Sequence, residues 1–193
     1  MSNKKYRNAP EPEKQKMTKE EIRKEILSWI EVFVLAAAIA FVVNTFLIAN
    51  SVVPTASMEP NIMTGSRVFG SRLAYKWSHD PERGDVVIFR WPDNERIYFV
   101  KRIIGMPGDT VDIVEGQVYI NGDAFDEPYL AEPMDPTEPP LHYEVPEGAY
   151  FMMGDNRNES ADARYWRNTF VYKDKIIAKV NFKYWPLPFK KVE

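Results

Sequence analysis

The sequence predicts a mainly β protein in which a single N-terminal transmembrane helix is followed by an all-β domain. Three observations predict this architecture. Residues 29–48, WIEVFVLAAAIAFVVNTFLI, form an apolar run broken by one charge, Glu31; as a helix rising ~1.5 Å per residue it covers ~30 Å, the thickness of a bilayer's hydrocarbon core. Beyond residue 50, short runs rich in β-branched and aromatic residues lie between Gly, Asp and Pro punctuation. Neither an internal repeat nor a second helical domain interrupts them.

The first element is a tail, residues 1–27, polar and Pro-dotted to about Lys16 and therefore expected to be disordered. Thr18, followed by Glu20 and Glu21, reads as the N-cap of a helix running into the membrane. Eight Lys or Arg precede the apolar run and none follows until Arg67. The positive-inside bias then makes residues 1–27 a cytoplasmic tail, 28–48 a transmembrane helix and 49–193 an extracytoplasmic domain in the cell membrane. Glu31 in the first turn and Asn44 near the far end are tolerated at the interfaces. The other reading of this segment is a cleavable signal peptide ending at Ala49-Asn50-Ser51, which would change the anchoring and not the chemistry.

Strands follow in order: VFG near Val68, DVVIFR from Asp85, IYFVKRII from Ile97, TVDIV and QVYI around a Glu115-Gly116 turn, AYFMM from Ala149 and KIIAKVNFKYW from Lys175. In the last, Ile177, Val180 and Phe182 alternate imperfectly with Lys179 and Lys183, as a half-exposed strand requires. Residues 127–146 hold six prolines, which cannot occupy a central ladder, so this stretch is a loop or an edge excursion.

Composition removes several functions. At 193 residues and 45% hydrophobic content the chain can build a core. The 25 basic residues against 28 acidic ones create no field for a nucleic acid. Without cysteine there is no disulfide, thiolate metal site or Cys nucleophile. Neither histidine, His79 or His142, sits in a metal-ligand spacing, and both fall in turn-like or Pro-rich surroundings where surface exposure is the rule, so no metal is expected. A G-x-S-x-G elbow, a P-loop and a dinucleotide fingerprint are all missing, and no cofactor is expected.

A Ser-His-Asp triad through His79 or His142 stays formally open, though both lie in surface-type segments; the other route to an activated hydroxyl is a Ser-Lys pair in which a neutral ε-amine takes the serine proton. Lys101 lies in IYFVKRIIG, an apolar strand in which a charged lysine is costly unless exposed, paired or deprotonated. Desolvation could lower its pKa from ~10.4 to the ~7 to 8 useful for a base; an edge-strand lysine pointing into water fits the same residues. Ser57, in VPTASMEPNI, is bracketed by Pro54 and Pro60, which stiffen the loop around its hydroxyl, though a serine capping a short turn reads the same way.

Taken together, four segments resemble type I signal peptidases in order and content: PTASMEP (54–60), GDVVIF (84–89), YFVKRIIGMPGD (98–109) and GDNRNESADARYW (154–166). The resemblance runs from the membrane helix to about Val180. It implies a serine endopeptidase in which Ser57 is the nucleophile and Lys101 the general base. It implies an oxyanion hole from the Ser57 N–H and the Thr55 hydroxyl, Ser160 orienting the lysine amine, an Asp162–Arg164 ion pair beside the site, and Asp155 with Asn156 shaping the turn that presents Ser160. Asn61, Ala163 and Arg167 depart from the family's usual Thr, Ser and Gly. These departures leave the packing behind Ser57 and the turn after Trp166 open.

Two extended stretches, Ser51 to Ala56 and Tyr98 to Lys101, could flank a peptide added as a strand. Val53, Met58, Ile62, Phe99 and Val100 would then line pockets admitting only small groups, consistent with the Ala-x-Ala preference that the resemblance implies. Ser57 follows the apolar run by about nine residues, a reach of at most ~30 Å, which keeps the nucleophile near the outer membrane surface. The expected partners are signal peptides of exported preproteins, membrane lipid and the export machinery. Two rival readings remain at this point, a self-cleaving Ser-Lys repressor-type protease and a catalytically silent anchored β-domain serving export or assembly.

Overall fold

The computed structural model describes residues 18–76, 79–136 and 139–192, so most of the expected cytoplasmic tail lies outside the described residues. The chain forms two compact units that divide after Phe41. In the first, the expected N-cap is a reciprocal capping box. The Glu21 N–H donates to Thr18 Oγ1 at 3.3 Å, and the Thr18 N–H donates to Glu21 Oε2 at 2.7 Å. Helix α1 (Lys19–Val42) passes into a π-helical turn, Val43–Leu47. The 29-residue helical run Lys19–Leu47 is long and apolar enough to cross a membrane. It starts earlier than the expected 28–48 segment and stops one residue sooner, because the backbone of Ile48 is already paired with Ser71. Trp29, Phe33, Leu35 and Phe41 are all exposed; a helix apolar all round needs an apolar surrounding.

The second unit is all β. Its strands are β1 (Ile48–Val52), β2 (Arg67–Ser71), β3 (Val86–Trp91), β4 (Asn94–Gly105), β5 (Thr110–Val114), β6 (Gln117–Ile120), β7 (Asp123–Ala124), β8 (Leu141–Glu144), β9 (Ala149–Met153), β10 (Val171–Tyr172), β11 (Ile176–Trp185) and β12 (Lys190–Lys191). Every run read from the sequence is among them. An antiparallel sheet of eight strands has the order β1-β2-β11-β3-β4-β9-β10 with β12 on β11, and a smaller one has the order β7-β6-β5-β8. Glu115 and Gly116 both take positive φ, 50° and 79°, as a two-residue turn matched to strand twist requires. The Pro-rich stretch holds one strand, β8, at the edge of the small sheet, where missing N–H donors cost nothing.

Apolar residues at successive positions of β3 face opposite sides of the large sheet. Val86 and Ile88 join a core with Met58, Ile62 and Val100, whereas Val87 and Phe89 join a second core with Ile103, Phe151 and Trp166. A strand buried on both faces reads as continuous hydrophobe, as GDVVIF does. The long strand β4 runs beside it in register Val87↔Lys101 and Phe89↔Phe99, so the two-residue period stands Lys101 on the Phe89 face. Phe89 is fully buried, with ring centroids 6.5 Å from Phe99 and 5.9 Å from Trp166. Phe89→Ala should therefore cost about 3 to 5 kcal/mol in the denaturant-induced unfolding of the detergent-solubilised chain; a loss under about 1 kcal/mol would contradict this packing.

Candidate active site

Ser57 sits in a 3-10 turn, Ala56–Met58, entered from an extended Thr55 (φ −122°, ψ 159°). The turn drops Met58 into the core, 0% exposed, and holds Ser57 at 5% exposure above it. The first N–H groups of such a turn have no partner within it, which leaves the Ser57 amide available to an incoming oxygen. Thr55 Oγ1 lies 3.2 Å from Ser57 Oγ, so both hydroxyls lie on one side of the turn.

Lys101 enters from β4 and is only 4% exposed. Burial depresses its pKa from the ordinary 10.5 to about 8; Asp162 and Asp155 pull it back upward and Arg164 adds to the depression. The amine lies 5.8 Å from the centroid of the Phe99 ring. Ser57, Lys101, Thr55, Val53, Phe99 and Val100 line one cleft of about 240 Å³. The edge-strand reading of Lys101, with its amine in water, is excluded by this burial.

The third part of the site hangs from β9, whose last residue, Met153, leads into Gly154. A β-carbon at Gly154 would lie 2.3 Å from both the Ser57 carbonyl oxygen and Ser160 Oγ. Only glycine lets these two segments meet. The Asn156 N–H donates to the Ser57 carbonyl at 3.1 Å, and the Gly154 N–H donates to Asp162 Oδ2 at 3.0 Å. Asp162 is 0% exposed and accepts from Arg164 Nε at 2.8 Å and Nη2 at 2.9 Å, the expected ion pair. Asp155 accepts from Arg102 Nε and Nη2 at 2.8 and 2.7 Å, which ties the loop to the residue after Lys101.

The expected pocket lining is corrected at two residues. Met58 and Ile62 do not line the cleft; both are 0% exposed in the core beneath it, because the 3-10 turn points them inward. Among the described residues, neither Ser57 Oγ nor Ser160 Oγ is hydrogen-bonded to the Lys101 amine. Ser57 Oγ is paired with Thr55, and Ser160 Oγ is buried without a partner against Gly154. The departures also find their partners. Asn61 Nδ2 donates to Asp155 Oδ2 and the Tyr129 carbonyl, both at 2.9 Å. Ala163 is core, and the N–H groups of Arg167 and Asn168 donate to Asp93 at 2.9 and 2.8 Å, which fixes the turn after Trp166. Sequence reading missed Gly154, Arg102 and the cleft residues Ile97, Glu159 and Ala161, whereas Pro54 and Tyr98 fall within the two stretches expected to flank the substrate. Only the Gly-Asp-Asn turn signal hinted at Gly154. His79 and His142 are exposed, as expected, and no group of His, Asp and Glu among the described residues could hold a metal ion.

The family described as signal peptidase, peptidase S26, matches residues 26–185. The chain belongs to this signal peptidase family. A probable signal peptidase I-2 from Synechocystis is 37% identical over 172 residues, covering 83% of this chain and 75% of that protein. A signal peptidase IB from Staphylococcus aureus is 34% identical over 181 residues, covering 86% of this chain and 92% of the relative. The crystal structure of a signal peptidase I from Enterococcus faecalis aligns with a TM-score of 0.46 at 33% identity, over 52% of this chain and 97% of that one.

Two outcomes follow for this member of the signal peptidase family. Gly154→Ala should lower peptidase activity by roughly 100-fold, since its methyl must displace the Ser57 carbonyl or Ser160; turnover within about threefold of the parent would refute that packing. The second concerns stability. Because the folded pKa of Lys101 lies below its unfolded value, the unfolded chain binds more protons between pH 8 and 10.5. Stability therefore rises with pH through that window, and the penalty, about 3 kcal/mol, is fully present below it. Lys101→Met should be the more stable protein at pH 7 by up to about that amount, with the advantage shrinking as pH climbs. Equal unfolding midpoints at neutral and alkaline pH would contradict it.

Proposed function

We propose that this chain is a membrane-bound signal peptidase I, a serine endopeptidase that removes N-terminal signal peptides from exported preproteins with Ser57 as nucleophile and Lys101 as general base. The observation that carries the reading is a lysine buried in the same cleft as a serine hydroxyl, with its ammonium destabilised enough to lose its proton near pH 8.

The chemistry follows from these groups. The neutral Lys101 amine takes the Ser57 proton as Oγ attacks the scissile carbonyl carbon; the negative charge passes to the carbonyl oxygen, which the Thr55 hydroxyl and the Ser57 N–H stabilise. The Lys101 ammonium then protonates the leaving amine as the C–N bond breaks, leaving an ester on Ser57. Water, giving its proton to the amine, attacks that ester, and the proton returns to Oγ as the acyl group leaves. Engagement requires Ser57 Oγ to exchange Thr55 for the amine, a tightening that substrate binding commonly produces. The unpartnered Ser160 hydroxyl is suited to receive the amine and orient it, since a buried hydroxyl without a partner costs roughly 1 to 3 kcal/mol.

The substrate lies as an added strand. β4 pairs with β3 along one edge but with β9 only from Arg102 onward, so the outer edge of Ile97–Lys101 lines the cleft without a strand partner, opposite Val52–Thr55, where Val53 is already bonded to Ser66 and Gly65. Val53, Phe99 and Val100 leave room there for small side chains, in keeping with cleavage after Ala-x-Ala. The apolar helix anchors the enzyme in membrane lipid, with the N-terminus cytoplasmic, the β domain outside and preproteins arriving from the export machinery.

The test is preprotein cleavage by the full chain in detergent across pH. Below about pH 8 the rate should fall close to tenfold per pH unit as the amine is protonated, and Ser57→Ala or Lys101→Ala should lower it by roughly 1,000-fold or more. A profile flat down to about pH 5, or turnover surviving Lys101→Ala, would exclude the mechanism.

A further inference from the structure

The Pro-rich segment between β7 and β8 carries no role in the chemistry above, yet its contacts converge on the loop that presents Ser160. Glu127 is the strongest. Its side chain is 6% exposed and forms a two-pronged ion pair with Arg157, whose own side chain is 1% exposed. Arg157 Nη1 donates to Glu127 Oε2 at 2.6 Å and Nη2 to Oε1. Its Nε donates to the Gly154 carbonyl at 3.0 Å, and Nη2 also reaches the Tyr129 hydroxyl at 3.4 Å. Gly154 is the residue against which both the Ser57 carbonyl and Ser160 Oγ are packed.

Tyr129 reinforces this from the other side. Its hydroxyl donates to Glu127 Oε1 at 2.5 Å, and its ring centroid lies 4.0 Å from the Arg102 guanidinium carbon. Its carbonyl takes one proton of the Asn61 amide, whose other proton goes to Asp155. Further along, the Asn158 side chain donates to Glu132 Oε1 and the Pro133 carbonyl at 3.0 and 3.2 Å and accepts from the Asp135 N–H at 2.8 Å, while Arg164 Nη1 reaches Met134 Sδ at 3.1 Å. One strand-free segment thus grips the residue after Lys101, a residue four beyond Ser57 and three positions around Ser160.

We propose that residues 127–135 are a positioning strap for the Ser57–Lys101 pair, and that Glu127 is its principal positioning residue, acting through Arg157 on the Gly154 peptide. The physical reason is charge. Arg157 is too deeply buried to be solvated, so its direction is set by whichever carboxylate neutralises it. Glu127 aims the guanidinium so that Nε is left for Gly154. Without that carboxylate the guanidinium swings toward Asp162, the nearby buried carboxylate, and the peptide wedged between the two serines loses its restraint. This rests on the reading of Ser57 and Lys101 as the reacting pair.

The experiment is steady-state cleavage of a preprotein by the full chain in detergent. Glu127→Gln keeps the shape and removes the charge; its kcat should fall about tenfold with KM within about twofold of the parent, since misplacement affects the reacting atoms and not the strand edges that hold substrate. Glu127→Asp, which restores the charge, should recover kcat to within about threefold. A parental kcat for Glu127→Gln, a loss confined to KM, or a loss equal in the Gln and Asp variants would each overturn the proposal. Near-UV circular dichroism checks folding. Should Glu127→Gln fail to fold, Tyr129→Phe takes its place, removing only the hydroxyl bonded to Glu127; it should lower kcat about threefold at constant KM, and an unchanged kcat overturns the strap. Ser57→Ala and Lys101→Ala run alongside: if they are inactive while Glu127→Gln is unimpaired, only the strap is wrong, whereas cleavage by either would remove the reading beneath it.

Discussion

The structure is organised around a lysine that would be more stable in water. Lys101 stands at the second-to-last pair of the β3–β4 ladder, where its cross-strand partner is Val87 and its neighbours on the same face are Phe99 and Ile103. The cost of placing an ammonium there lowers its pKa to about 8 and leaves more of the amine unprotonated near neutral pH, the state that the proposed general base requires. The surrounding cores supply that energy. With both faces of β3 packed, the sheet can carry one unfavourable residue without losing its register.

A second constraint follows from the first. Charges close to Lys101 must not undo its depression, yet buried Asp155 and Asp162 both favour the ammonium. Each carboxylate is matched by its own guanidinium, Arg102 and Arg164, with two hydrogen bonds apiece. Buried pairs of this kind contribute little net stability, because desolvation offsets most of the attraction. Their value here is directional. They lock the 154–164 loop at an angle from which Ser160 faces inward, and they spend the fields of two carboxylates on partners other than the amine.

Much of this was legible in the sequence because it depends on local pattern. The capping box at Thr18, the Glu115-Gly116 turn and the uninterrupted apolar run of β3 follow from residue types at fixed spacing. Lys101 inside IYFVKRIIG declared its own oddity. The inward turn of Met58 and Ile62 was not legible, since an apolar residue beside a nucleophile reads equally as pocket wall or core, and only the 3-10 geometry decides. Ser160's missing partner and Glu127's attachment to Arg157, thirty residues away, escaped for a related reason: long-range polar pairing leaves no periodic trace.

The departures from family habit illustrate how such pairing adjusts. An amide at position 61 has two donors where a threonine hydroxyl has one, and both are used, one on Asp155 and one on the Tyr129 carbonyl. Threonine would satisfy one acceptor and leave the other bare. Asn61 therefore ties the turn that follows Ser57 to the course of residues 127–135 as well as to Asp155, a double link that a single hydroxyl donor could not make. Position 163 obeys the same logic in reverse. Its environment is the apolar core around Met152 and Trp166, where a serine hydroxyl would need a partner and alanine needs none. What these neighbours leave unsatisfied matters as much as what they bond: among the described residues, the Ser160 hydroxyl is the one buried side-chain group of the 154–164 loop without a partner, which is why the proposed mechanism gives it the amine.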